Sequence, residues 1–157
     1  MTTIEEKIDV DVPVRAAYDQ WTQFESFPEF MEGVKSVTQL DDQNLHWHAE
    51  VAGKDMEWTS RIVEQVPDQR ISWASTSGKK VTGLVTFATV APAKTRITLR
   101  MEVEPEGAAE KVGSAVGVLS LRVKGDLKRF KEFIEERHVP TGEWRGEIHG
   151  SQVNRPG

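Results

Sequence analysis

Hydrophobic and polar positions alternate with period two at the start of the chain. Ile4, Ile8, Val10 and Val12 share one parity; Glu5, Lys7, Asp9 and Asp11 share the other. The alternation predicts a strand over residues 4–12. Glu6 falls on the apolar parity. Pro13 ends the strand, and proline is tolerated in the first turn of a helix, where its missing N–H has no partner to lose. Val14, Tyr18 and Trp21 then follow helical spacing and predict a short helix over 13–23. A second short helical segment, 24–32, carries Phe24, Phe27, Phe30 and Met31 and closes at Gly33. So many large apolar groups on so short a piece predict a plug against something else.

From Val34 to Glu104 the period is two again. Strands are predicted at about 34–41, 44–52, 55–66, 70–77, 80–90 and 94–104, separated by turn-forming sequences such as Gly53-Lys54, Pro67-Asp68 and Ser77-Gly78. The short connections imply antiparallel neighbours. In the last strand Ile97, Leu99, Met101 and Val103 alternate with Arg96, Thr98, Arg100 and Glu102, so one face is dry and one wet. Beyond Gly107, Val112, Val116, Leu119, Val123, Leu127, Phe130 and Ile134 recur every three or four residues, the stripe of a long helix over about 108–137. Gly113 and Gly117 mark a place for a kink near its start. Residues 138–157 read as a polar tail, docked through Trp144 and Ile148, beside a domain at 1–137.

A curved sheet with one apolar face needs a cover, and the only element long enough is the C-terminal helix. The expected fold is therefore α+β: a curved antiparallel sheet of about seven strands wrapped around that helix, with two short helices after strand one. The space between sheet and helix is expected to be a pocket.

Composition narrows the chemistry. The chain has 157 residues, a net charge of −5 and no cysteine. The acidic balance opposes nucleic-acid binding, and without cysteine no disulfide, thiolate nucleophile or cysteine zinc site exists. The N-terminal residues show no apolar signal-peptide core, and no apolar run approaches the roughly 18 residues of a membrane span. The expected compartment is the cytoplasm, with no stable membrane insertion. Five tryptophans against one tyrosine suit a core or a pocket wall.

Several stretches carry a family resemblance: Ile8-Asp9-Val10-Asp11-Val12-Pro13-Val14 leading to Tyr18 and Trp21, then Phe24-Glu25-Ser26-Phe27-Pro28-Glu29-Phe30-Met31, Pro67 to Trp73, Gly83-Leu84-Val85-Thr86-Phe87, and Asp126-Leu127-Lys128-Arg129-Phe130-Lys131. In this order the chain resembles the START-like, or SRPBCC, superfamily, and within it the polyketide cyclase/dehydrase and coenzyme Q-binding branch. The resemblance covers about residues 4–136 and implies the helix-grip fold. The superfamily hosts carriers, ring-closing enzymes, hydrolases and regulators, so fold alone does not set activity.

Strand parity and helix spacing supply the expected ligand-binding residues: Phe27, Phe30, Met31, Trp47, Met56, Trp58, Trp73, Val85, Phe87, Leu99, Met101, Val116, Leu119 and Val123. Taken singly each reads as ordinary core. As a set they describe a wide space with adaptable walls. Gly83, inside a strand, marks curvature or room for a ligand.

No catalytic constellation is visible. Glu6, Ser60 and Ser75 are the candidates, all inward by parity: an acid for proton transfer and two hydroxyls able to bond a ligand. Thr95 is a further inward hydroxyl, and Tyr18 is expected to pack. His46 and His48 share the outer face without a third ligand, so no metal and no cofactor is implied. Gly78-Lys79-Lys80 lacks the frame of a phosphate loop and reads as a turn. Val118 and Leu121 lie off the main helical stripe and offer a surface for weak self-association or a protein partner. Three functions follow: binding of a small hydrophobic molecule (a lipid, quinone or polyketide-like aromatic), a cyclase/aromatase/dehydratase-like enzyme using the same pocket, or a protein-interaction module.

Overall fold

The computed structural model describes residues 2–51, 53–78, 80–103 and 109–156, with side chains for all of these except Thr2, Val51 and residues 109–118. β1 spans Thr2–Val10 and α1 spans Val14–Trp21, with Pro13 at the N-cap. A 3₁₀ turn covers Phe24–Glu29. Six strands follow: β2 (Val34–Gln39), β3 (Asn44–Val51), β4 (Lys54–Val66), β5 (Arg70–Ser75), β6 (Val81–Ala91) and β7 (Lys94–Val103). The long helix α2 runs without interruption over Ala109–Arg137, roughly 45 Å at 1.5 Å per residue.

The sheet order is β1-β7-β6-β5-β4-β3-β2, with every neighbouring pair antiparallel. These are the seven strands expected. Two more, β8 (Glu147–His149) and β9 (Gln152–Asn154), come from the C-terminal segment and bring the total to nine. The sheet is unclosed and grips α2, whose Val123, Leu127, Phe130 and Ile134 are all buried. The buried stripe spans more than three turns of helix, and each fully buried side chain contributes about 1.5–3 kcal/mol. Val112 and Val116 lie outside the described side chains.

One end of the grip is filled by aromatic rings. Trp21 packs against Phe27, Phe87 and Phe130, and Phe30 packs against Phe27, Phe130 and Phe133, with centroids 4.9–6.2 Å apart. The 3₁₀ turn is the plug that its composition predicted. Polar ties then stitch the following loop to α2: Arg129 donates to the Phe30 carbonyl, and Asp126 accepts from the Glu32 amide. Burial pushes the Asp126 carboxyl up, while the hydrogen bond from Arg129 opposes the shift.

A bulge between Ile62 and Glu64 changes the parity of β4. Before it Ser60 and Ile62 face inward; after it the inward residue is Gln65, buried at 1% exposure. Simple alternation would place Glu64 there instead. The bulge is also where β3 stops pairing with β4 and β8 takes over, at Glu64↔His149 and Gln65↔Ile148.

The C-terminal segment docks through buried polar groups as well as through Trp144 and Ile148. The Gln20 amide donates to Thr141 Oγ1 and its carbonyl accepts from the Thr141 amide, at 3.0 and 2.8 Å. Arg145 bonds the buried carboxylate of Asp19, pairs with Asp68 at 2.7 Å and lies over the Tyr18 ring. Burial pushes the Tyr18 hydroxyl up to about 12. It raises Asp19 too, against the pull of the Arg145 hydrogen bond and charge.

That balance fixes a sign. A carboxyl whose folded pKa lies above its unfolded value costs stability as pH rises through the window between the two. Arg145→Met removes the downward pull on Asp19 and widens the window upward. Urea unfolding should show a loss of about 3 kcal/mol at pH 7, the cost of breaking a buried pair. The loss should shrink as pH is lowered, because protonation of the raised Asp19 carboxyl removes the unpaired buried charge.

Candidate ligand-binding site

The half of the grip away from the aromatic plug is walled by three tryptophans on neighbouring strands. β3 and β4 pair Trp47 directly opposite Trp58, and their rings stack at 5.8 Å with planes only 4° apart. Parallel stacking of large rings adds to the gain from burial. The Trp47 indole N–H donates to Ser60 Oγ at 2.9 Å, which fixes the ring orientation. Trp47 also meets Phe27 at 5.8 Å, so the wall continues into the plug.

Trp73 on β5 pairs opposite Gly83 on β6. A Cβ on Gly83 would lie 2.2 Å from the Trp73 ring. The glycine therefore makes room for the Trp73 indole. Gly83 in turn pairs with Met101, and Met101 with Ile4 of β1. Trp47, Trp58, Trp73, Met101 and Leu119 are all half-buried, as is Met31 on the far side. Met56 is more exposed, at 39%, near the β3–β4 turn. Phe27, Phe30, Val85, Phe87, Leu99 and Val123 sit deeper, in the continuous core. Val116 belongs to the side chains outside the description.

The polar candidates fall in three places. Glu6 faces α2, accepts a hydrogen bond from Ser120 Oγ at 3.0 Å and lies 3.7 Å from the Lys124 ammonium. It is a half-buried tie between β1 and the helix. Ser60 is buried, and Ser75 is its direct partner on β5. The Ser75 hydroxyl accepts from the Val81 amide at 3.0 Å, which anchors the β5–β6 turn. Thr95, fully buried, donates to the Val12 carbonyl at 2.9 Å and holds the chain between β1 and α1. Its hydroxyl is spent on structure.

His46 and His48 lie across the β3–β4 ladder from Glu57 and Asp55, at 3.2 and 3.6 Å. Among the described residues no cluster of three or more metal-ligating side chains is present, and no helix is long and apolar enough to cross a membrane. Lys79 and Val118 lie outside the described side chains; Leu121 is 70% exposed. Sequence parity missed the buried polar groups Asp19, Gln20 and Gln65 and the half-buried Arg145 beside Asp19. The one signal for them was the run Tyr18-Asp19-Gln20-Trp21, too polar for a helix flank that packs on both sides.

A family model described as polyketide cyclase/dehydrase and lipid transport matches residues 10–132. The chain is 45% identical over 149 residues to an uncharacterized 17.2 kDa protein of Streptomyces lincolnensis, covering 94% of this chain and 99% of that one. Among solved structures it is similar to the Zhui aromatase/cyclase of Streptomyces sp. R1128, with a TM-score of 0.77, 16% identity, and 90% and 98% of the two chains covered. A START superfamily protein of Mycobacterium smegmatis superposes with a TM-score of 0.74 at 13% identity, covering 86% and 98%. At such identities the superpositions carry the fold, which is the helix grip.

The fit of Trp73 over Gly83 gives a direct test. Gly83→Ala should destabilise the protein by about 1–3 kcal/mol in urea unfolding, the usual cost of overpacking. Combining it with Trp73→Leu should cost less than the sum of the two single changes, because the ring that collides is gone.

Proposed function

Since the chain belongs to the polyketide cyclase/dehydrase and lipid transport family, we propose that it binds a small, flat, hydrophobic molecule between the sheet and α2. The ligand classes that suit this reading are a lipid, a quinone or a polyketide-like aromatic. The observation that carries it is the contrast between the two halves of the grip. At the plug, rings pack on rings and are buried. Beyond it, Trp47, Trp58, Trp73, Met101 and Leu119 keep part of their apolar surface in water. Leaving such surface wet costs about 25 cal/mol per Å², and a flat apolar ligand recovers that cost by covering it. Indoles supply rigid stacking faces and methionine an adaptable one.

A second reading is a cyclase-like reaction in the same space, favoured by the Glu6 carboxylate on the inner side of β1. The carboxylate accepts from Ser120 and lies 3.7 Å from the Lys124 ammonium, which hold it in place. As an enzyme group it would act as a base toward an acidic C–H or O–H of the ligand. Turnover of a poly-carbonyl chain that survives Glu6→Gln unchanged would remove Glu6 from that role.

The binding reading is tested with 1-aminoanthracene, a neutral fluorescent probe. Saturable one-to-one binding is expected, with quenching of tryptophan emission. Trp58→Leu should weaken it by about tenfold, the worth of one stacked ring pair, while urea unfolding shows the variant folded. Absence of saturable binding to the wild-type protein would refute the reading.

A further inference from the structure

Ser60 and Ser75 stand between the three indoles. Each is two residues from a tryptophan on its own strand, Trp58 and Trp73, and so shares its face. The two serines are direct partners across the β4–β5 ladder, a relation that sets Cβ atoms about 4.5–5.5 Å apart. Ser60 is 2% exposed.

The hydrogen-bond inventory of this pair is one-sided. A serine hydroxyl offers one donor and two acceptor sites. Ser60 Oγ accepts from the Trp47 indole, and Ser75 Oγ accepts from the Val81 amide. Both partners are pure donors, so neither consumes the serine hydrogen. Among the described residues neither hydroxyl donates to a protein acceptor. Two O–H donors are therefore held side by side on the inner face, each with its oxygen fixed by an N–H. A buried polar hydrogen without a partner costs free energy that a suitable acceptor would recover.

We propose that Ser60 and Ser75 form a two-donor site that selects, among flat apolar ligands, those carrying a neutral carbonyl oxygen. The inference rests on the binding reading above and adds the ligand's polar group. A carbonyl oxygen has two lone pairs in one plane and takes two O–H donors at about 2.7–2.8 Å each, a span that matches the separation of the pair. An ammonium group brings only donors where an acceptor is required. A carboxylate would be desolvated beside an indole N–H and a backbone amide, both neutral, with no counter-charge from either. A hydrocarbon leaves both hydrogens unpaired. The ligand is thus a planar ketone, enone or quinone, with its ring among Trp47, Trp58 and Trp73 and its oxygen at the serines.

Two probes of nearly equal shape separate this from the pocket itself: 2-acetonaphthone, which has the carbonyl, and 2-ethylnaphthalene, which lacks it. Binding to the wild-type protein and to Ser60→Ala and Ser75→Ala is followed by tryptophan quenching, with urea midpoints as the control for folding. Each substitution should weaken the ketone about tenfold and leave the hydrocarbon within twofold. Ser75→Ala matters most, because it leaves the Trp47–Ser60 bond intact. Equal losses for both probes, or no loss for the ketone, overturn the two-donor site while the pocket stands. Failure of both probes to bind the wild-type protein overturns the pocket and the two-donor site together.

Discussion

The ring of Phe130 packs against Trp21 at 4.9 Å and against Phe30 at 5.1 Å. One side chain on α2 thereby holds α1 and the 3₁₀ turn, which lie at the other end of the sequence. The curved sheet supplies one apolar face and cannot choose where along it the helix rests. The aromatic plug makes that choice. With α2 pinned at Phe130, its earlier described residues run out along β1, where Ser120 and Lys124 meet Glu6. The filled half of the grip fixes the geometry of the half that stays partly wet.

Polar contacts then set the rotation of the helix about its own axis. Ser120 and Lys124 meet Glu6, Lys131 donates to the Asp9 carbonyl, and Glu135 accepts from the Asp11 amide. These residues run along one flank of α2 and follow β1 nearly to its end. On the opposite flank Asp126 and Arg129 hold the loop after the plug. Such exposed or half-exposed ties contribute little stability each. Their value is positional, since a helix packed only by an apolar stripe is free to roll.

Most of this architecture is legible in the chain as written. Period two predicts β2 to β7 to within a few residues, and the stripe through Leu127 and Ile134 predicts α2. What the pattern cannot carry is anything decided by the meeting of distant segments. Gln20 and Thr141 are 121 positions apart, and nothing local to either announces the other. The bulge after Ile62 breaks the alternation that parity reasoning assumes, so Gln65 is invisible to it. Gly83 reads as a special position, but its reason is Trp73, and that pairing needs the β5–β6 register. The site divides the same way. The tryptophans and methionines follow from parity, whereas the role of Ser60 depends on which hydrogen-bonding capacity Trp47 leaves unused.

The handover on β4 has a consequence for the chain's behaviour in bulk. Beyond Arg61, β3 no longer covers that side of β4, and the backbone groups around Glu64 and Gln65 are satisfied by β8. The C-terminal hairpin therefore acts as a stopper on an open strand edge. A molecule clipped before Trp144 would present unpaired N–H and C=O groups beside the exposed side chain of Val63, a template for another chain to add a strand. Proteolytic trimming of these last residues would then appear first as self-association, before any loss of the helix-gripped core.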